Sequence, residues 1–128
     1  MPELPEVETS REYLKQTLLN SKIINIQLNV LKLRWKINTD VKKVLNNTII
    51  LQINRIGKYI LINTSIKKTL ILHLGMSGYL SINDFSYKKI RHDHVIMVLK
   101  RNNEEKIKLI FNDQRRFGFI DIHDTLDL

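Results

Sequence analysis

The sequence predicts an α+β fold, one N-terminal helix packed on an antiparallel β-sandwich, within a single domain. Three observations carry that prediction. An apolar stripe at helical spacing (Leu4, Val7, Leu14, Leu18) is confined to the first twenty residues. The remainder breaks into short runs rich in Ile, Val and Leu. Tight polar turns, not helix-length crossovers, join those runs. With 128 residues, 43% of them apolar, the chain is one domain's worth and can bury a core.

Residues 4–19 read as the helix, with Pro5 in its first turn, where a missing N–H costs nothing. Arg11 falls on the apolar stripe; a buried arginine needs a carboxylate, and Glu8 or another early glutamate is its expected partner. After Asn20-Ser21 the period changes to two. Ile24, Ile26, Leu28 and Val30 alternate with Asn25, Gln27 and Asn29, which puts those four apolar residues on one face of a strand. A short helix is expected at 40–46, capped by Thr39 or Asp40. Further strands are expected at 48–54, 58–63, 69–74, 79–82, 94–100, 106–112 and 117–122. Turn signals at Asn46-Asn47, Asn63-Thr64-Ser65, Asn83-Asp84 and Arg101-Asn102-Asn103-Glu104 separate them.

Charge narrows the partner. Lys and Arg number 21 against 13 Asp and Glu, a net charge of +8, which favours a polyanion such as nucleic acid over a membrane surface. The absence of cysteine excludes disulfides, zinc ribbons and thiol catalysis within the chain. No apolar run reaches the length of a membrane span, and the acidic opening is unlike a secretory signal, so a cytoplasmic protein is expected.

Four segments can carry chemistry. If Met1 is removed, Pro2 presents a secondary amine that can attack an aldehyde-level carbon to form an iminium. An α-amino group titrates at about pH 7.7–8.0, so roughly a tenth is neutral and nucleophilic at pH 7. Glu3, Glu6 and Glu8 stand close enough to manage its protons, although the same residues also suit a plain acidic helix start. Lys58 follows Gly57 at a strand start. In His73-Leu74-Gly75-Met76-Ser77-Gly78, two glycines bracket Met76, giving an exposed flexible tip able to wedge into a base stack. In Asp113-Gln114-Arg115-Arg116-Phe117-Gly118, paired arginines beside an aromatic suit phosphate contact and stacking. The run Arg91-His92-Asp93-His94 invites a metal reading, but strand alternation places Asp93 opposite the two histidines, so no metal site is expected there. His73 and His123 read as structural or surface residues.

The string PELPEVETSR, the Arg55–Leu61 segment, HLGMSG, RHDHV and the DQRRFG loop together resemble bacterial formamidopyrimidine-DNA glycosylases. The resemblance implies a base-excision-repair enzyme that removes oxidised purines, 8-oxoguanine and formamidopyrimidines, from damaged double-stranded DNA. It implies Pro2 as the Schiff-base nucleophile, Glu3 as general acid and base, and Glu6 in a supporting role. Lys58 is implied as a catalytic lysine at the backbone phosphate, with His92, Arg115 and Arg116 binding DNA. Met76 and Phe117, with Arg115, fill the void left by the extruded base. Gln114 stands where the family loop carries proline, which predicts a less rigid tip.

Family members continue into a helical domain with a helix–two-turn–helix element and a four-cysteine zinc finger. Residues 1–128 are therefore expected to be the N-terminal catalytic domain alone, without a cofactor, the missing domains being possible partners if encoded separately. A non-enzymatic DNA-binding remnant of a truncated gene is the alternative reading. An unrelated N-terminal-proline tautomerase would leave HLGMSG and the RRFG loop unexplained.

Overall fold

The structure is a computed structural model that describes residues 10–125. Leu4, Pro5 and Val7 lie outside them, so the first turns of the expected 4–19 helix do too, as does the side chain of Arg11 with its expected ion pair. Helix α1 runs Ser10–Leu18, with Leu14 and Leu18 buried one turn apart. Asn20 ends it with a positive φ of 68°, a conformation asparagine tolerates, and its N–H bonds Ile50 O at 2.8 Å.

Strand β1 spans Lys22–Leu28 and departs from the expected alternation. Its buried residues are Ile23 and Ile26, because the pairing with its neighbour slips between Ile23 and Asn25. The slip leaves Ile24 as an extra residue, and a bulge of this kind returns positions three apart to the same face. Helix α2 is Asp40–Leu45, and it buries Val41 and Leu45. Neither Thr39 nor Asp40 caps it. Thr39 is itself in helical φ/ψ and makes no capping bond; Asn38 Oδ1 instead accepts the Asp40 N–H at 3.0 Å.

The remaining strands are β2 (Thr48–Ile56), β3 (Tyr59–Thr64), β4 (Lys68–His73), β5 (Gly78–Asp84), β6 (Asp93–Lys100), β7 (Lys106–Asp113) and β8 (Phe119–Asp124). The expected turn at Asn83-Asp84 is strand instead: both residues pair with β7, at Lys108 and Ile107. All pairings are antiparallel, in the order β5-β7-β6-β1-β2-β3-β4-β8. Strands β1 and β2 pair at only two positions, so this is a hinge between two four-stranded halves. Both halves, with α1 and α2, feed one core: Ile26, Met97, Leu99 and Phe111 from the first half meet Ile53, Ile62, Leu72 and Ile120 from the second.

The chain passes between the halves twice more, and both passages lie at one end. Residues 74–77 lead from β4 to β5, and residues 114–118 lead from β7 to β8. The register makes them neighbours, since His73 pairs with Phe119 and Gly78 with Asp113. The β2–β3 turn reaches the same end through the Tyr59–His73 pair, and the start of β6 through Asp93–Asn112.

Burial sets the expected energetics. Ile62→Ala, in the fully buried middle of β3, should cost about 2–5 kcal/mol in urea unfolding, whereas Leu51→Ala, on the exposed face of β2, should stay within about 0.5 kcal/mol.

Candidate nucleic-acid interface

Local backbone chemistry builds each part of this end. Strands β2 and β3 are joined by Gly57-Lys58, and Gly57, with φ +59°, takes the first central position, where a type II′ hairpin requires glycine. Lys58 emerges from that hairpin toward the first crossover: its Nζ donates to Gly75 O at 2.8 Å, and its carbonyl accepts Leu74 N–H at 3.0 Å. An ammonium carries three protons, so this contact fixes the lysine without using all its donors.

The two crossovers touch backbone to backbone. A Cβ on Gly75 would lie 2.6 Å from Gly118 N, and one on Gly118 would lie 2.2 Å from His73 O. Only glycine permits such an approach. Met76 projects from the first crossover and is 70% exposed, while Phe117 projects from the second and is 45% exposed. Arg115 and Arg116 precede Phe117 at the surface, with Arg116 at φ +58°.

Beneath the tip lies Asp113, whose exposure is 0%. Its Oδ1 accepts Ser77 Oγ–H at 2.6 Å and Arg116 N–H at 3.1 Å; its Oδ2 accepts Gly118 N–H at 2.9 Å. Ser77 Oγ accepts Arg115 N–H at 2.9 Å in return. On the other side, His94 Nε2 donates to Asp113 O at 2.9 Å, and Asp113 N–H donates to His92 O at 3.1 Å.

Buried Asp93 organises the segment before β6. Its carboxylate accepts Tyr87 O–H at 2.6 Å, Ile90 N–H at 2.9 Å and Asn112 Nδ2–H at 2.8 Å. That arrangement carries His92, half-buried with φ +71°, at its end. The His92 and His94 rings meet edge to face at 5.9 Å, but His94 and Asp93 are each committed to internal hydrogen bonds.

Of the expected site residues, Lys58, Met76, His92, Arg115, Arg116 and Phe117 all belong to this end of the sandwich. Pro2, Glu3 and Glu6 lie outside the described residues. Sequence reasoning passed over five contributors. His73, read as structural or surface, has a direct local role: Nδ1 accepts Gly75 N–H at 3.1 Å, and the ring stacks on Phe119 at 5.1 Å. Asp113 and Ser77 were hidden inside longer motifs. Arg34 and Trp35 form part of a small hairpin closed by the Lys32–Lys36 bridge, with Arg34 N–H on Gly118 O at 3.0 Å. They line, with Leu33, Arg115, Arg116 and Phe117, a groove of about 570 Å³. An exposed Trp beside an Arg was the signal that could have marked them.

Chemically, the end offers cationic groups for phosphates and two exposed apolar wedges within one surface. No helix among the described residues is long and apolar enough to cross a membrane.

Burial pushes the pKa of His94 below its ordinary 6.5, against the opposing effect of its bond to Asp113 O. It does the same at His73, helped there by the charges of Arg34 and Lys58. Below about pH 6.5 the unfolded chain therefore takes up protons that the native chain refuses. Stability should fall as pH drops from about 6.5 through the native pKa values and level off beneath them. His94→Gln should flatten part of that slope in thermal unfolding followed from about pH 7.5 to about pH 5.

A family model described as the formamidopyrimidine-DNA glycosylase N-terminal domain matches residues 1–120. A formamidopyrimidine-DNA glycosylase of Bartonella bacilliformis is 40% identical over an alignment of 136 positions, covering 100% of this chain and 47% of the relative. One from Rickettsia africae is 46% identical over 120 residues, covering 94% and 42%. Among solved structures, the Lactococcus lactis FPG with a FAPY-dG-containing DNA superposes with a TM-score of 0.81 at 31% identity, covering 96% of this chain and 44% of that one. The same enzyme with an abasic-site-containing DNA gives 0.80 at 31% identity, covering 97% and 45%. The chain thus spans less than half the length of these relatives.

Proposed function

Because this chain belongs to the formamidopyrimidine-DNA glycosylase family, we propose that it is a base-excision-repair DNA glycosylase with abasic-site lyase activity. Its substrate is damaged double-stranded DNA bearing oxidised purines, 8-oxoguanine and formamidopyrimidines. Residues 1–128 act as the N-terminal catalytic domain. The helical and zinc-binding parts of the family, if encoded separately, are its protein partner, and the bacterial cytoplasm is its compartment.

The observation that supports this reading best is the convergence of separate segments on one end of the sandwich. Lys58 is bonded to Gly75 O beside the exposed Met76, and Phe117 stands between buried Gly118 and the surface arginines. A base inside a duplex is unreachable and must be extruded at a cost of a few kcal/mol. Met76, Arg115 and Phe117 would enter the gap and offset part of that cost. Lys58, His92, Arg115 and Arg116 would hold the phosphates around it.

The chemistry follows from the resemblance of the first ten residues. The Pro2 amine attacks the anomeric carbon of the deoxyribose and the damaged base departs. Glu3 protonates the opening sugar ring, giving an iminium between Pro2 and the sugar. That iminium acidifies the adjacent sugar C–H, so β-elimination breaks the strand on the 3′ side, and a second elimination can remove the sugar remnant. Glu6 has a supporting role at the same end of the chain.

The test is reductive trapping. Incubation with an 8-oxoguanine duplex and borohydride should yield a covalent adduct that peptide mapping assigns to Pro2. Duplex binding with no adduct would overturn the catalytic reading and leave a DNA-binding remnant. In parallel, the logarithm of affinity should fall linearly with the logarithm of salt concentration, and Lys58→Ala should reduce that slope by about 1.

A further inference from the structure

We infer that Asp113 and Ser77 are positioning residues that hold the Met76 crossover and the Arg115–Phe117 crossover as one rigid tip. The inference rests, for its consequence, on the proposed entry of Met76, Arg115 and Phe117 into a base stack. The coupling itself rests on geometry alone.

Ser77 belongs to the first crossover, yet its hydrogen bonds reach the last residue of β7 and the second crossover beyond it. Its hydroxyl donates to Asp113 Oδ1 at 2.6 Å and accepts Arg115 N–H at 2.9 Å. A hydroxyl is the smallest side-chain group that does both at once. Asp113 then gathers the far side of the second crossover, taking the N–H groups of Arg116 and Gly118 at 3.1 and 2.9 Å. Its own backbone is fastened to the start of β6 through His92 O and His94 Nε2. The carboxylate is fully buried, so if either crossover lifts, acceptors are left without partners or water.

The glycine contacts close the device. A Cβ on Gly75 would lie 2.6 Å from Gly118 N and one on Gly118 would meet His73 O at 2.2 Å, so neither crossover has slack to move without the other. Opening should therefore be shared rather than local. In DNA the consequence is joint insertion: the methionine wedge, the phenylalanine and the arginines arrive in a fixed mutual geometry. The buried Asp113 carboxylate also supplies rigidity where Gln114, lacking a proline's fixed φ, does not.

Amide hydrogen exchange on the full chain without DNA tests the coupling, comparing wild type with Ser77→Ala, Ser77→Thr and Asp113→Asn. Ser77→Ala should accelerate exchange at Arg115, Arg116, Gly118, Gly75 and Gly78 by a common factor of about five to ten, while core amides such as Ile62 and Leu99 stay unchanged. Ser77→Thr, which keeps the hydroxyl, should restore most of the protection, and Asp113→Asn, which sets an N–H against an N–H, should mimic Ser77→Ala. Acceleration confined to Arg115, the amide bonded to the hydroxyl, would overturn the coupling.

A second arm reads the consequence. The ratio of affinities for a duplex with an abasic-site analogue over an intact duplex should fall about tenfold in Ser77→Ala, with binding to intact duplex retained. Equal loss on both duplexes would overturn the positioning role. If the wild-type chain binds neither duplex, the DNA reading fails, while the exchange result still decides the coupling.

Discussion

The constraint on which the rest depends is that the chain must cross between its two sheets twice at the same end, through backbones in contact. Gly75 and Gly118 allow that approach, and the buried carboxylate of Asp113 satisfies the Arg116 and Gly118 N–H groups of the second crossing. Met76, Arg115, Arg116 and Phe117 are each spaced from this knot by one to three residues. The tip is therefore not a loop appended to a scaffold; it is where the scaffold is tied.

This explains how the chain presents apolar side chains to water without spreading an adhesive surface. Met76 and Phe117 are held outward by covalent neighbours that are themselves fully engaged, and charged arginines surround them. The buried apolar residues form one continuous core drawn from both sheets and both helices. A cationic rim around two rigid apolar points suits an aromatic stack bounded by phosphates far better than it suits a flat protein partner. The Arg34–Trp35 hairpin, tied to Gly118 O, extends the same chemistry along the groove beside Phe117.

Buried polar networks carry the precision. Asp93 and Asp113 sit at the facing ends of β6 and β7, and each is satisfied mainly by neutral donors. Between them they fix the backbone on both sides of His92 and the arginines. His73, stacked on Phe119 and met edge-on by Tyr59, adds an aromatic brace across β3, β4 and β8 beside the Lys58 hairpin. Such networks specify a single arrangement because a half-made version leaves buried groups unpaired.

Most of the elements were legible in the sequence, because helix and strand periods are local. Leu14 and Leu18 marked α1, and short runs rich in Ile, Val and Leu between polar turns marked β2 to β8. Reading failed where a local pattern was overruled from elsewhere. The regular alternation from Ile24 to Val30 was broken by a bulge that pairing with β6 imposes, so Ile23 and Ile26 face the core. The cap of α2 came from Asn38, one residue earlier than local preference suggested. The sequence by itself determined the element types, the basic balance and which cationic and apolar residues stand in the candidate motifs. Only the tertiary structure decided that Lys58, Met76, Arg115 and Phe117 share one tip and that Asp113 and Ser77 bind it together. The reason is physical: strand order and the two crossovers are set by contacts between residues far apart in the chain, which no local spacing encodes.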